Sequence, residues 1–264
     1  LVIPFAMKIA LIGCGAIGTT IAMAVKDGLV NVKVPWVMDT DVEKAEAVAR
    51  LLGAKVAKSI EDVLSSDVDL VVEGASQEAV KQYGMEVIAK RKSLLVMSVG
   101  AFTDEKLLER MVDAAEKKGV KIYVPSGAIG GLDAIASASI GGIYDVSLTT
   151  TKPPANLGLK DIGEKLIVYQ GKAGEAVKLY PANINVSAAL SLAGVGFGDT
   201  KVKIVADPRA SENIHEIDAR GRFGKFYIRV ENVPSPDNPR TSYLAALSAI
   251  ALLRRIASPL EVGN

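Results

Sequence analysis

The segment Gly13-Cys14-Gly15-Ala16-Ile17-Gly18 follows an apolar run at residues 8–12 and opens an amphipathic stretch at residues 17–27. Three glycines at this spacing are weak evidence alone; between a buried strand and a helix they acquire a meaning. Gly13 permits a tight turn, Gly15 lets a pyrophosphate approach the backbone, and Gly18 lets helix and strand pack closely. The helix start, with Ala16 and Ile17 in it, then offers free N–H groups and the positive end of its dipole to phosphates. Asp39 ends the second apolar run, residues 32–38. It stands roughly 20 residues beyond the glycines, where a carboxylate accepts the hydroxyls of an adenosine ribose. Neither Thr40 nor Asp41 supplies an arginine to neutralise a 2′-phosphate. That favours NAD, with NADP as the second candidate; a bare glycine turn beside a surface aspartate is the bland alternative.

The same alternation continues down the chain. Short runs rich in Val, Ile and Leu at 55–57, 68–72, 94–99 and 120–124 are separated by helical patterns near Ile60 and at 41–52, 77–90 and 104–118. Strands spaced by helices over this length predict parallel βαβ units, hence an α/β fold with an N-terminal Rossmann-type, doubly wound parallel sheet over residues 7–125. Two loops should fall at strand ends, where open α/β sheets bind ligands: Glu73-Gly74-Ala75-Ser76 and Ser98-Val99-Gly100-Ala101-Phe102. Ala75, Ser76 and Gly100 are cofactor-binding candidates there, ordinary turns being an equal reading.

After Pro125 the pattern changes. A glycine-rich turn and a short helix at 132–139 precede strand candidates at 146–151, 166–169, 201–206, 213–219 and 225–230, interrupted by a helical stretch at 184–192. Short turns such as 220–224 predict a second, α+β domain over 126–238, built on a mainly antiparallel sheet. Residues 151–163, with Pro153 and Pro154, read as a loop. A helix at 241–256, within a segment 239–257, has Asn238 and Thr241 as possible caps and should pack back on the first domain. Residues 1–6 read as upstream of a natural start at Met7.

Composition excludes several function classes. With 31 basic and 30 acidic residues the formal net charge is +1, so there is no electrostatic footprint for nucleic acid or an anionic membrane. No apolar run reaches the roughly 20 residues needed to span a bilayer. Cys14 is the single cysteine; no intrachain disulfide can form, which fits a reducing cytoplasm. No metal ligand set is assigned.

The chain has one histidine, His215, in Glu212-Asn213-Ile214-His215-Glu216. Imidazole exchanges protons near neutral pH, although a lone histidine in a strand is more often a structural residue. Beside it stand Asn183 and Asn185, and the turn Ser126-Gly127-Ala128-Ile129-Gly130-Gly131, whose backbone donors could bind a carboxylate as it opens a helix.

Several blocks, in order along nearly the whole chain, resemble the archaeal and bacterial L-aspartate dehydrogenases. They are the glycine segment, Glu73-Gly74-Ala75-Ser76-Gln77, Ser98-Val99-Gly100-Ala101-Phe102, Asn185-Val186-Ser187-Ala188 and Asn238-Pro239-Arg240-Thr241-Ser242-Tyr243-Leu244-Ala245-Ala246-Leu247. Two are far more specific: Ser126-Gly127-Ala128-Ile129-Gly130-Gly131-Leu132-Asp133-Ala134 and the His215 block. The resemblance implies reversible NAD(P)-dependent oxidation of L-aspartate to iminoaspartate, hydrolysed to oxaloacetate and ammonia, feeding NAD biosynthesis. It also implies a homodimer, a catalytic His215, and dinucleotide contacts at Ala128 and Asn185. Ser126, Lys152 and Asn183 are candidates for the substrate carboxylates, with a solvated loop lysine as the other reading of Lys152. The rival readings are an enzyme of the homoserine dehydrogenase or dihydrodipicolinate reductase type, and a non-catalytic dinucleotide-binding module.

Overall fold

The computed structural model describes residues 7–160, 162–180, 184–235, 238–260 and 262–263. The chain divides into two compact units. One holds residues up to Pro125 together with Ala246–Val262, the other Ser126–Ala245 with Gly263.

In the first unit the elements are β1 Met7–Ile12, α1 Ala16–Lys26, β2 Val32–Met38, α2 Val42–Leu52, β3 Lys55–Val56 and α3 Ile60–Leu64. They continue as β4 Leu70–Glu73, α4 Gln77–Ala89, β5 Ser93–Val96, a 3-10 turn Val99–Thr103, α5 Glu105–Lys118 and β6 Ile122–Tyr123. The six strands form one parallel sheet in the order β3-β2-β1-β4-β5-β6, the doubly wound arrangement whose direction reverses between β1 and β4. Ile9, Ala10 and Leu11 of β1 and Leu70, Val71 and Val72 of β4 are buried, as strands covered on both faces must be. Registry aligns Ile12 with Met38 and Glu73, and Glu73 with Val96. Four strands therefore end together, and the loops that follow them share one edge of the sheet. Three of the following helices are capped by a side chain: Asp41 accepts from Lys44, Ser76 from Ala79 and Asp104 from Leu107.

The second unit contains α6 Leu132–Gly141, β7 Ile143–Lys152, a 3-10 turn Pro154–Leu157, β8 Leu166–Lys172, α7 Ala173–Leu179 and α8 Asn185–Ala193. Then come β9 Lys201–Ala206, β10 Asn213–Gly221, β11 Gly224–Asn232, β12 Pro234–Ser235, β13 Asn238–Ser242 and α9 Tyr243–Ile256, which from Ala246 on belongs to the first unit. Five strands form a mixed sheet, β11-β10-β7-β9-β8, in which only β7 and β9 run parallel. One face is apolar over most of its length. Val146, Leu148, Ile217 and Ala219 pack there with Ile129, Ile135 and Leu190.

Four expectations are corrected. The strand at 94–99 stops at Val96, because residues 99–103 wind into the 3-10 turn. Residues 239–242 are not helical. They lie in β13, paired with β12, so the expected caps Asn238 and Thr241 fall in a strand and the helix begins at Tyr243. β7 extends through Lys152 before Pro153 breaks it, so Lys152 is a strand residue, 7% exposed, and not a solvated loop lysine. α7 falls where no element was expected. Among the described residues no helix is long and apolar enough to cross a membrane.

Candidate active site

The turn from β1 to α1 is built on glycine for steric reasons. Gly13 has φ +98°, and a Cβ there would stand 2.6 Å from the backbone carbonyl of Gly74. A Cβ on Gly18 would stand 1.9 Å from the carbonyl oxygen of Gly13. Nothing lies within 4 Å of the corresponding position on Gly15, which leaves its backbone open to a ligand. Gly15 precedes α1 without any side-chain cap, and the first turn, with Ala16 and Ile17, holds no acidic residue. The unpaired N–H groups at that end therefore remain available to an anion.

Asp39 sits beside this turn. Its carboxylate accepts the backbone N–H of Cys14 at 2.6 Å and that of Asp41 at 2.8 Å. Burial, and secondarily the charge of Asp39, pushes the Cys14 thiol up to about 12; it stays protonated at neutral pH and is no nucleophile. These residues fit a dinucleotide: an open approach over Gly15, free N–H donors for the phosphates, and a carboxylate held by the same loop.

Glu73 ties the neighbouring loops together. Only 2% exposed, it accepts from the Ala75 N–H at 2.8 Å, the Ser98 N–H at 3.0 Å and the Ser98 hydroxyl at 2.8 Å. Burial raises its carboxyl above the usual range, opposed by those donors. Ser76 uses its hydroxyl as the α4 cap, and Gly100 is buried in the 3-10 turn, its carbonyl accepting from Thr103. The loops are legible in the sequence, whereas the carboxylate that joins them is not. Glu73 is the last residue of an apolar run, which was the available signal.

In the second unit the apolar face of the sheet turns polar over its last two rows. Ala219 pairs with Val146 and Ile217 with Leu148, and then His215 pairs with Thr150. Two residues further stand Asn213, opposite Asn232 on β11, and Lys152, opposite Ala206 on β9. Alternation along a strand puts every second residue on one face, so these polar groups share the face of the hydrophobic cluster. His215 is 3% exposed, and its Nδ1 lies 2.9 Å from the Thr150 hydroxyl. Burial, and then the nearby charge of Lys152, lowers the imidazole to about 3. Burial alone lowers the Lys152 amine to about 8.

The turn before α6 meets this end of the sheet. The Ala128 carbonyl accepts from Asn232 Nδ2 at 3.0 Å. Ser126 is half-buried at the start of that turn, and Asn185 is the exposed first residue of α8. Asn183 lies outside the described residues. Residues of sequence-local blocks were found in advance; Thr150, Asn213 and Asn232 were not assigned roles, because only strand register brings them to His215.

Residues 133–256 match the domain family described as "Aspartate dehydrogenase, C-terminal", and residues 13–125 match "Homoserine dehydrogenase, NAD binding domain". Over 98% of its length the chain is 47% identical to the L-aspartate dehydrogenase of Methanococcoides burtonii, all of which is covered. The chain belongs to the L-aspartate dehydrogenase family. Likewise it is 46% identical to the L-aspartate dehydrogenase of Methanocaldococcus jannaschii, over 98% of this chain and 100% of that one. The crystal structure of aspartate dehydrogenase from Thermotoga maritima matches with a TM-score of 0.81 at 33% identity, covering 98% of this chain and 100% of that one. Members of the L-aspartate dehydrogenase family are oxidoreductases acting on a CH–NH2 group with NAD(P). The dinucleotide half thus matches a family named for homoserine dehydrogenases, whereas the half carrying His215 matches the one named for aspartate dehydrogenases.

Asp39→Ser tests the cofactor side. If the adenosine ribose is held by Asp39, the substitution removes a charge that would repel a 2′-phosphate and a charge-assisted bond to the ribose, each such bond being worth about 1.5–3 kcal/mol. The ratio of kcat/KM for NAD to that for NADP should fall at least about tenfold. An unchanged ratio would remove Asp39 from cofactor choice.

Proposed function

We infer that this chain catalyses the reversible oxidation of L-aspartate to iminoaspartate, which water converts to oxaloacetate and ammonia. The observation that carries this is the pair of polar rows, His215 with Thr150 and then Lys152, on an otherwise apolar sheet face within the half matched by the aspartate dehydrogenase family. A buried cation next to a neutral imidazole suits a small dicarboxylate better than a neutral or cationic substrate.

A bound dinucleotide would supply the hydride acceptor for the substrate Cα. Gly13 to Gly18 would receive its pyrophosphate and Asp39 its adenosine ribose, with Ala75, Ser76, Gly100, Ala128 and Asn185 lining the remainder. Lys152, the Ser126 hydroxyl and Asn183 attract the carboxylates. Donation from His215 Nδ1–H to the Thr150 oxygen leaves the Nε2 lone pair to accept a proton from the water that attacks the imine carbon. Two bound carboxylates raise the pKa of a neighbouring imidazole, which brings His215 from its low value in the free chain toward a useful range.

Supplying iminoaspartate for NAD biosynthesis is the role that fits this reaction, in a cytoplasmic homodimer. Absorbance of the reduced nicotinamide should rise with L-aspartate and stay flat with L-glutamate, L-homoserine and L-alanine, each cofactor being supplied in turn. Turnover of L-homoserine without turnover of L-aspartate would overturn the reading.

A further inference from the structure

Asn232 closes β11 on the same face as His215, and it is 2% exposed. Its side-chain nitrogen donates to the Ala128 carbonyl at 3.0 Å, with a longer contact to the Asn213 carbonyl at 3.4 Å. Two carbonyl acceptors on one side fix the orientation of the amide, since an oxygen in that place would face two oxygens. The Oδ1 atom is therefore assigned by chemistry. Among the described residues it is fully buried and has no hydrogen-bond partner.

A buried acceptor left without a donor among the described residues is an exception in folded proteins, and a bound ligand is one source of the missing donor. The register places Asn232 opposite Asn213, two residues from His215, and in the polar rows that also hold Lys152. Within the reading given above, on which this step rests, the substrate brings two carboxylates and one nitrogen. Carboxylates only accept; the nitrogen is the group that donates.

The geometry points to Asn232 Oδ1 as the acceptor for the substrate's nitrogen-bound hydrogen. It is a positioning and specificity residue: a dicarboxylate without the nitrogen leaves the acceptor unmatched, and a keto oxygen in its place meets it lone pair to lone pair. The site thereby selects the amine or imine over the ketone of the same carbon skeleton. Its other hydrogen bond holds the Ala128 carbonyl, so one side chain couples the turn before α6 to substrate recognition.

Calorimetric titration of the enzyme–NADH complex, which does not turn over L-aspartate, compares L-aspartate with succinate. Wild type should bind L-aspartate about ten- to a hundredfold more tightly, the span of one buried hydrogen bond, neutral or charged. Asn232→Leu removes the amide, whereas Asn232→Thr keeps a hydroxyl donor toward Ala128. Both should lose the difference between the two ligands while binding succinate as before. General damage would weaken both ligands and leave their ratio intact. An undiminished ratio in a folded variant, or none in wild type, overturns the assignment. So does a lowered NADH affinity with the ratio unchanged, which would give the acceptor to the nicotinamide carboxamide. If neither variant folds, the amide is structural and the assignment falls. Failure of wild type to bind either dicarboxylate would refute the aspartate reading itself, which separates the two ideas.

Discussion

Replacing His215 by asparagine should lower turnover of L-aspartate by about 10²–10⁴-fold, the range that a positioned general base contributes. His215 is 3% exposed on the polar end of the sheet face, and its ring is lowered to about 3, by burial first and the Lys152 charge second. It is neutral at working pH and can take a proton. Asparagine keeps a polar group in reach of the Thr150 hydroxyl, now 2.9 Å from Nδ1, but offers no basic nitrogen. The groups proposed to hold the dinucleotide, the glycine turn and Asp39 among them, are untouched by the substitution, so NADH affinity measured by fluorescence should not change. Near-normal turnover in a variant with normal NADH binding would show that the imidazole is a packed core residue.

The dinucleotide half was legible because its signals are local. A strand, three glycines, a helix and Asp39 lie within 32 consecutive residues, 8–39, and steric exclusion by Gly13 and Gly18 makes the motif nearly compulsory. The catalytic half was legible only in part. The E-N-I-H-E block marked His215, but its partners depend on the pairing of β10 with β7 and β11, which no sequence period specifies. Pro153 and Pro154 suggested a loop that swallowed Lys152; proline ends a strand after itself without preventing the residue before it from pairing. The helix expected from 241 failed in the same way, since its first residues lie in β13 of a separate two-stranded sheet. α7, only seven residues long, is too short for a helical period to declare itself.

Lys152→Met is expected to weaken binding of L-aspartate and succinate by at least about thirtyfold, since losing one partner of a buried charge pair is worth roughly 2–5 kcal/mol. Methionine nearly matches lysine in length, so packing is kept while the charge is removed. The pH dependence gives an independent signature. Burial lowers the Lys152 amine to about 8, and succinate stays fully ionised above neutrality. The neighbouring His215 is already neutral there. Above neutrality the succinate inhibition constant should therefore be flat up to about pH 8 and rise beyond it, up to tenfold per pH unit, as the ammonium loses its proton. In Lys152→Met it should be flat throughout. Stability moves oppositely. An amine whose folded pKa lies below its unfolded value of about 10.4 disfavours folding at pH values under 8, and that penalty fades as pH rises through the interval between them. The variant lacks the penalty, so its Tm at pH 7 should equal or exceed that of wild type while binding collapses. A lysine that merely held the fold would give the reverse pattern, a lower Tm and a succinate constant that ignores pH.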